Sequence, residues 1–318
     1  MVPRTLDDDC GVAHAVGVLG DAWSVLVLRD VARGRTRFEQ LLAGTGISRK
    51  VLTLRLQALV GSDVLERVRY QERPDRYEYL LTARGRATLP VLAALQDWGD
   101  TWLLGDGTTS ATAGATSAEA HRVAALVGTA VPPVAPDPLA PDPLAPDPSA
   151  GAEAADAAAY TVLYCYPGSA LTGIDDVPGG AGCTLESCTY RDRLAEFAAL
   201  GARVVGVSTQ EAADQAAFAA RNGIQFPLVS DVDLGLATAL RLPTFRLQGV
   251  PRLKRLTLVV DRQRVVRGTL FPIRDVTGSV EDALALVRAA VAEDAAATTV
   301  ASGERQVHHV QADGPVRR

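Results

Sequence analysis

Apolar positions along the chain fall into two periodic blocks separated by a stretch with no period at all. In the first block Val12, Val16, Leu19, Val25 and Leu28 recur at helical spacing, which predicts one helix over 11–32. Residues 38–43 predict a short second helix, Gly44–Gly46 a turn, and Ser48 the cap of a third helix. Projected at 100° per residue, that third helix gathers Val51, Leu52, Leu56 and Leu59 on one side and Arg49, Lys50, Thr53 and Gln57 on the other. Arg55 projects into the apolar side and is expected in an ion pair or on a phosphate. Val68 and Tyr70 then alternate with Arg67 and Arg69, and 65–70 and 77–82 flank a turn carrying Arg73 and Arg76, a hairpin with arginines at its tip. The block ends in an apolar helix over 84–103 with Leu89, Leu92, Leu95, Trp98 and Trp102, more apolar than one small domain needs and so a candidate dimer surface.

The second block alternates strands and helices: strands at 160–166, 203–207 and 226–229, helices at 184–199 and 211–222, a hairpin of 256–260 with 264–270, and a closing helix over 279–293. That order predicts an α/β thioredoxin-like sheet. Between the blocks, 131–149 holds three tandem copies of APDP(L/S). Proline removes donors and keeps the preceding residue extended, so the stretch reads as a semi-rigid spacer. Its Ala/Gly/Ser/Thr-rich flanks are interrupted by a short helix near 118–127, and the tail after Asp294 is polar and aperiodic. The expected plan is therefore a mainly helical domain with a β wing over 1–106, a linker over 107–157, an α/β domain over 158–294 and a disordered tail over 295–318.

Composition changes this picture in two places. A length of 318 residues suits two domains, and no apolar run reaches the ~18–20 residues of a membrane span. The acidic start MVPRTLDDDC lacks an apolar signal core, which predicts a cytoplasmic protein with no membrane partner. The net charge of -5 excludes a uniformly basic surface, yet residues 29–86 hold thirteen arginines and lysines against seven acids. Such a local excess is the footprint of phosphate binding, although a solvated arginine-rich helix gives the same count. Arg49 and Lys50 suit guanine, Gln57 adenine and Thr53 a thymine methyl of double-stranded DNA, with Arg67, Arg73 and Arg76 of the hairpin as further DNA contacts and Arg73, at the tip, on phosphate.

The second chemistry lies in GCTLESCTYRD, 182–192. Cys183 follows a Gly-rich loop at a predicted helix N-terminus, where free amides and the dipole favour thiolate, the form that attacks a peroxide oxygen. Cys188 lies five residues on, with about 7.5 Å of helical rise between them, outside the usual disulfide separation of about 4.4–6.8 Å. A bridge between them therefore needs the first helical turn to unwind. Two unrelated core cysteines is the alternative; two ligands spaced C-x4-C make a poor metal site, so no metal and no cofactor is expected. Cys165, inside a strand, reads as core.

Both blocks resemble known families. LGDAWSVLVLRDV (19–31), RFEQL (37–41), GISRKVLTLRLQALV (46–60), LERVRY (65–70), RYEYLLTARG (76–85) and WGD (98–100) resemble the HxlR-type winged-helix regulators. That resemblance implies a homodimeric transcription factor on a pseudo-palindromic operator. It also puts Cys10 at the place of a thiol switch, against the alternative of a small packing residue. VLYCYP (162–167), GCTLESCTYRDR (182–193), GARVVGVST (201–209), FPLVSD (226–231) and RLTLVVD (255–261) resemble peroxiredoxins of the bacterioferritin-comigratory, PrxQ-like group. The resemblance makes Cys183 the peroxidatic cysteine, Cys188 the resolving one and Arg255 the arginine beside the thiolate. It implies a peroxide substrate and a thioredoxin-like or low-molecular-weight thiol reductant. Two departures stand out: an insertion after Pro167, and Gly180 where the family carries threonine, with Thr172 or Thr184 as possible substitutes. The fusion predicts a redox-responsive DNA-binding regulator. The alternatives are a thiol peroxidase merely localised to DNA and a regulator whose peroxidase site has decayed.

Overall fold

The computed structural model describes residues 9–103, 110–140 and 158–310, with side chains except those of 101 and 298–310. The first domain runs α1 (Gly11–Leu19), α2 (Ala22–Ala32), α3 (Phe38–Thr45), α4 (Arg49–Gly61), β1 (Leu65–Glu72), β2 (Asp75–Leu81), α5 (Ala83–Arg86) and α6 (Leu89–Trp102). The single helix expected over 11–32 is two, meeting at 78°. Asp21 breaks it: its carboxylate accepts from the backbone of Trp23 at 2.9 Å and Ser24 at 3.3 Å, starting α2 anew. The core forms where α2, α3 and α4 converge, with Val27, Leu28, Leu41 and Leu52 fully buried and Leu56 and Leu59 nearly so. Each such side chain contributes about 1.5–3 kcal/mol. β1 and β2 pair antiparallel across the two-residue turn Arg73–Pro74, the wing of a winged helix.

The segment between the domains carries α7 (Ala118–Ala124), and the second domain follows as β3 (Tyr160–Cys165), α8 (Cys183–Asp192), α9 (Leu194–Ala199), β4 (Ala202–Ser208), α10 (Ala212–Asn222), β5 (Leu228–Ser230), α11 (Gly235–Leu240), β6 (Thr244–Leu247), β7 (Val250–Leu253), β8 (Leu256–Asp261), β9 (Val266–Leu270) and α12 (Gly278–Val310). Five strands form one mixed sheet in the order β5-β4-β3-β8-β9. β3 lies parallel to β4 and antiparallel to β8, so it is central and buried along its whole length. Its alternation sends Tyr160, Val162 and Tyr164 to one core and Leu163 and Cys165 to the other. Cys165 is thus a packing residue, and burial drives its thiol far above the ordinary range.

Two expectations are corrected. The tail does not stop being regular at Asp294, since α12 continues to Val310; its run AEDAAATTVAS is rich in alanine, the best helix former. The linker expected over 107–157 is not free along its described part either. Residues 110–140 form a strap laid on the second domain. Val131 is 1% exposed and packs with Leu139 and Val134 on the β3–β8 face. Arg264, at the β8–β9 turn, donates to Val131 O at 2.8 Å and Pro132 O at 3.1 Å and grips Asp137 with both terminal nitrogens. Only the first APDP copy lies whole in this strap; the second beyond Ala140 and the third fall outside the described residues.

The strap also fixes the first domain against the second. α11 packs on α2 and α6. Asp100 of α6 takes Arg122 of α7 at 3.3 Å and Arg241 at 3.5 Å, and Asp97 takes Arg246 at 3.0 Å. Gly34, after α2, lies against Pro132 of the strap at a φ of +81°, and a Cβ there would sit 2.6 Å from Pro132 Cβ. Arg264→Ala removes the clamp on the strap. We expect faster hydrogen exchange at Gly128 and Val131, whose amides bond to Val266 O and Arg264 O, and a loss of about 1–3 kcal/mol in second-domain stability. Unchanged protection at those amides would show that apolar packing alone holds the strap.

Candidate thiol active site and nucleic-acid interface

Cys183 is the first residue of α8, behind Gly182, and is 4% exposed. Its sulfur sits 3.4 Å from Arg255 Nη2 and 3.6 Å from Gly180 O, with the Gly168 amide also bonding to it. Arg255, just ahead of β8, is 2% exposed. The same Nη2 donates to Ala181 O at 2.9 Å, and Nη1 pairs with Glu186 of α8. One guanidinium therefore holds the thiol, the loop before it and the helix after it.

Glu186 was not singled out from sequence, although the signal was there. It lies three residues beyond Cys183, on the same face of the helix. It is fully buried, and burial pushes its carboxyl up to about 7 against the downward pull of Arg255. Burial likewise pushes the Cys183 thiol up, while Arg255 pulls it down and Glu186 pushes it up further. This corrects the expectation of a thiol lowered by the helix terminus: in this closed state desolvation of the thiolate outweighs the donors. For Arg255 burial opposes the charge, but Glu186 and Cys183 hold its guanidinium above the ordinary value.

Gly180 has a steric reason. A Cβ there would lie 2.3 Å from Ile174 O and 3.0 Å from Val177 O, so threonine cannot occupy this loop as folded. Thr172 and Thr184, the possible substitutes, are both exposed. The insertion after Pro167 builds one wall of a cavity of about 460 Å³ lined by Asp175, Asp176, Val177, Arg274, Val276 and Arg255, among others. Arg255 thus connects that cavity to the buried sulfur. Cys188 is half-buried beside Arg191, and α8 is continuous from Cys183 through it. Both cysteines are free thiols, as are Cys10 and Cys165.

On the first domain, α4 buries Leu52, Leu56 and Leu59 and exposes Arg49, Lys50, Thr53 and Gln57. Arg49 is held by Glu39 of α3 through two bonds of 2.8 and 2.9 Å, and Thr53 donates back to Arg49 O at 2.9 Å. Arg55 pairs with Asp21 at 3.1 Å. On the wing, Arg67 stacks 3.5 Å over the Tyr77 ring, while Arg73 and Arg76 are exposed at the tip. Arg37, over the Tyr70 ring at 4.2 Å, adds a cation between α3 and the wing that the pattern reading missed. Cys10, at the N-cap of α1, is half-buried, with its carbonyl accepting from His14 N at 3.1 Å.

Comparison with known proteins divides the chain in the same way. Residues 18–106 match the HxlR-like helix-turn-helix family, and residues 152–269 match the AhpC/TSA family. An uncharacterised HTH-type transcriptional regulator of Synechocystis is 47% identical over 95 residues, 30% of this chain and 70% of that protein. A Mycobacterium tuberculosis protein provisionally named a peroxiredoxin is 34% identical over 128 residues, 40% of this chain and 77% of that one. The chain spans only 58% of the length of the mycobacterial HTH-type regulators it also matches. The crystal structure of the peroxidoxin BcpB from M. tuberculosis aligns at 31% identity over 41% of this chain and 79% of that chain, with a TM-score of 0.35. The protein is a two-domain fusion of a DNA-binding regulator module and a peroxiredoxin-like thioredoxin-fold module. It belongs to the HxlR-like helix-turn-helix family through the first and to the AhpC/TSA family through the second. Among the described residues no single helix is long and apolar enough to cross a membrane.

The Glu186 carboxyl sets a pH dependence. Its folded value of about 7 lies above the 4.5 of an ordinary glutamate, so the folded state holds the proton more tightly. Its contribution is fully present below about pH 4.5 and is lost as pH rises through about 7. Asp231, pushed to about 6 by burial, acts in the same direction. We expect Glu186→Gln to show a flatter decline between pH 4.5 and 7, leaving the part due to Asp231, and to deprive Arg255 of an ionised partner only above about pH 7. Urea midpoints at four pH values would show this; an unchanged slope would mean that Glu186 stays ionised throughout.

Proposed function

We propose that the chain is a redox-responsive transcription regulator in which Cys183 receives an oxidant and the state of its domain alters DNA binding by the first. The observation that carries this reading is the docking of the thiol domain on α2 and α6 of the winged helix, with Arg246 on Asp97 and Arg241 on Asp100. Tethering alone gives no differential affinity, whereas a shared interface does when one partner changes shape.

The chemistry follows from the site. The Cys183 thiolate attacks a peroxide oxygen; an S–O bond forms, the O–O bond breaks, and the leaving oxide takes up a proton as water or alcohol. The thiolate of Cys188 then attacks the sulfenic sulfur, forming the disulfide as the sulfenic hydroxyl leaves and is protonated to water. A thioredoxin-like or small thiol reductant returns both to thiols. Because Cys183 and Cys188 share one continuous helix, the second step requires α8 to unwind at its start. Unwinding breaks the Ser187 Oγ to Cys183 O bond of 3.0 Å and takes Glu186 from Arg255.

The DNA-binding form is a homodimer on double-stranded operator DNA. Val91, Leu95, Trp98 and Trp102 make an exposed apolar stripe on α6, turned away from the second domain, with Val12 and Val16 exposed on α1. That surface suits a second copy. The absence of a threonine at Gly180 favours a second reading, a regulator whose thiol senses but turns over slowly.

Gel-shift titrations at fixed salt, with an operator selected from random duplexes, test the first reading. Peroxide should change the affinity of the wild type, and Cys183→Ser should abolish the change; equal affinities with and without peroxide would reduce the protein to a DNA-bound enzyme. Peroxide consumption with a dithiol reductant separates a turning-over enzyme from a slow sensor. In the reduced state Arg49→Ala and Gln57→Ala should each cost about 1–3 kcal/mol and relax sequence preference, while Arg73→Ala should weaken binding to all sequences alike. Retained preference in both α4 variants would displace α4 as the reading helix.

A further inference from the structure

The strap lies outside both family matches, which end at residue 106 and begin at residue 152, yet it braces the thiol site on two sides. On one side Ala111 N and Ser110 Oγ both donate to Pro178 O at 3.0 Å. Pro178 begins the loop whose Gly180 and Ala181 carbonyls hold Arg255. On the other side Glu119 of α7 pairs with Lys254 at 2.6 Å. Both are buried: the Lys254 side chain is 0% exposed and that of Glu119 5%. Lys254 Nζ also reaches Thr112 O at 3.5 Å, and Thr112 lines the cavity that Arg255 borders. Lys254 is the residue immediately before Arg255.

A buried ammonium tolerates few positions, because leaving its carboxylate would strand two charges away from water. The Glu119 pair therefore pins the backbone at Lys254, and with it the point from which the Arg255 side chain sets out toward the sulfur. We propose that Glu119, supplied by the strap and not by the peroxiredoxin-like domain, is a positioning residue for the thiol chemistry, fixing Arg255 beside Cys183 through Lys254. The inference rests on Cys183 being the reacting thiol. It deepens that reading by making the thiol site incomplete without the inter-domain segment. One turn along α7 from Glu119, Arg122 holds Asp100 of the DNA-binding domain, so the same short helix touches both.

The test uses the full chain and iodoacetamide, with Cys183 alkylation read by mass spectrometry of its peptide across pH. Glu119→Gln should move the pH midpoint of Cys183 alkylation up by about half a unit or more, which is about a three-fold loss of thiolate at pH 7. Glu119→Asp should fall between this variant and the wild type, and it carries the test if Glu119→Gln does not fold. Within Arg255→Lys, adding Glu119→Gln should move the midpoint no further. A purely structural role for Glu119 would loosen the strap, raise the alkylation rate at every pH by one factor and leave the midpoint in place; that result overturns the proposal. So does an equal shift in the Arg255→Lys background. Oxidation of wild-type Cys183 by one equivalent of peroxide, read on the same peptide, is a separate measurement. Failure there sinks the functional reading, whereas the alkylation midpoints judge Glu119 alone.

Discussion

Arg255 brings a full positive charge to a place that water hardly reaches, and much of the second domain is arranged around that charge. A buried guanidinium needs acceptors for its donors, and it finds them in Glu186, the Gly180 and Ala181 carbonyls and the Cys183 sulfur. Those partners come from three successive pieces of chain: the inserted loop, the first residue of α8 and its next turn. The loop must turn tightly enough to aim two carbonyls at one nitrogen, and Gly180 permits this because its missing Cβ would strike Ile174 O. The threonine that the family resemblance leads one to expect is thus excluded by the loop that the insertion builds.

The same electrostatic constraint extends outward. Lys254 is a second buried cation next in sequence to Arg255, and its carboxylate comes from outside the domain, on the strap. The strap in turn gives Arg122 to Asp100 and sets Pro132 against Gly34. These are directional contacts between charged or tightly apposed groups, and they give the two domains one defined docking. A proline-rich segment that would act as a spacer if solvated is held instead along its first part, because Arg264 meets its carbonyls and Asp137.

What sequence conveys here divides by the range of the interaction. Helix and strand periodicity located α4, the wing, β3, β4, β8, β9 and α10, because each is amphipathic or apolar on the scale of a few residues. Arg255 was legible only through the family motif RLTLVVD, and Cys183 through its Gly-rich loop and helix start. The break at Asp21 was missed because a capping aspartate inside an apolar run carries less weight than the run's period. The seating of the strap, whose helix was expected near 118–127, and the short α11 were missed for another reason. Their packing comes from partners more than a hundred residues away, as Glu119 with Lys254, Asp137 with Arg264 and α11 with α2 and α6 show. Composition made 131–149 look solvated, and only the tertiary acceptor–donor match reverses that.

The buried thiol raises a question of sequence in time. In the closed state Cys183 is shielded and burial pushes its thiol up, which slows any encounter with an oxidant. In the proposed cycle, opening the first turn of α8 removes much of that burial. It also brings Cys188 within reach and frees Arg255 from Glu186. On the proposed reading, the motion that admits the oxidant is therefore the motion that permits the disulfide. The disulfide then holds the helix in the unwound form, since Cys183 and Cys188 cannot be bridged on an intact helix. Arg255, parted from Glu186 at the edge of the cavity, then has to find new partners. Its neighbour Lys254 is fixed to the strap, and the strap is fixed to α6. On the proposed reading, a local change at the sulfur would reach the DNA-binding domain along this run of paired charges.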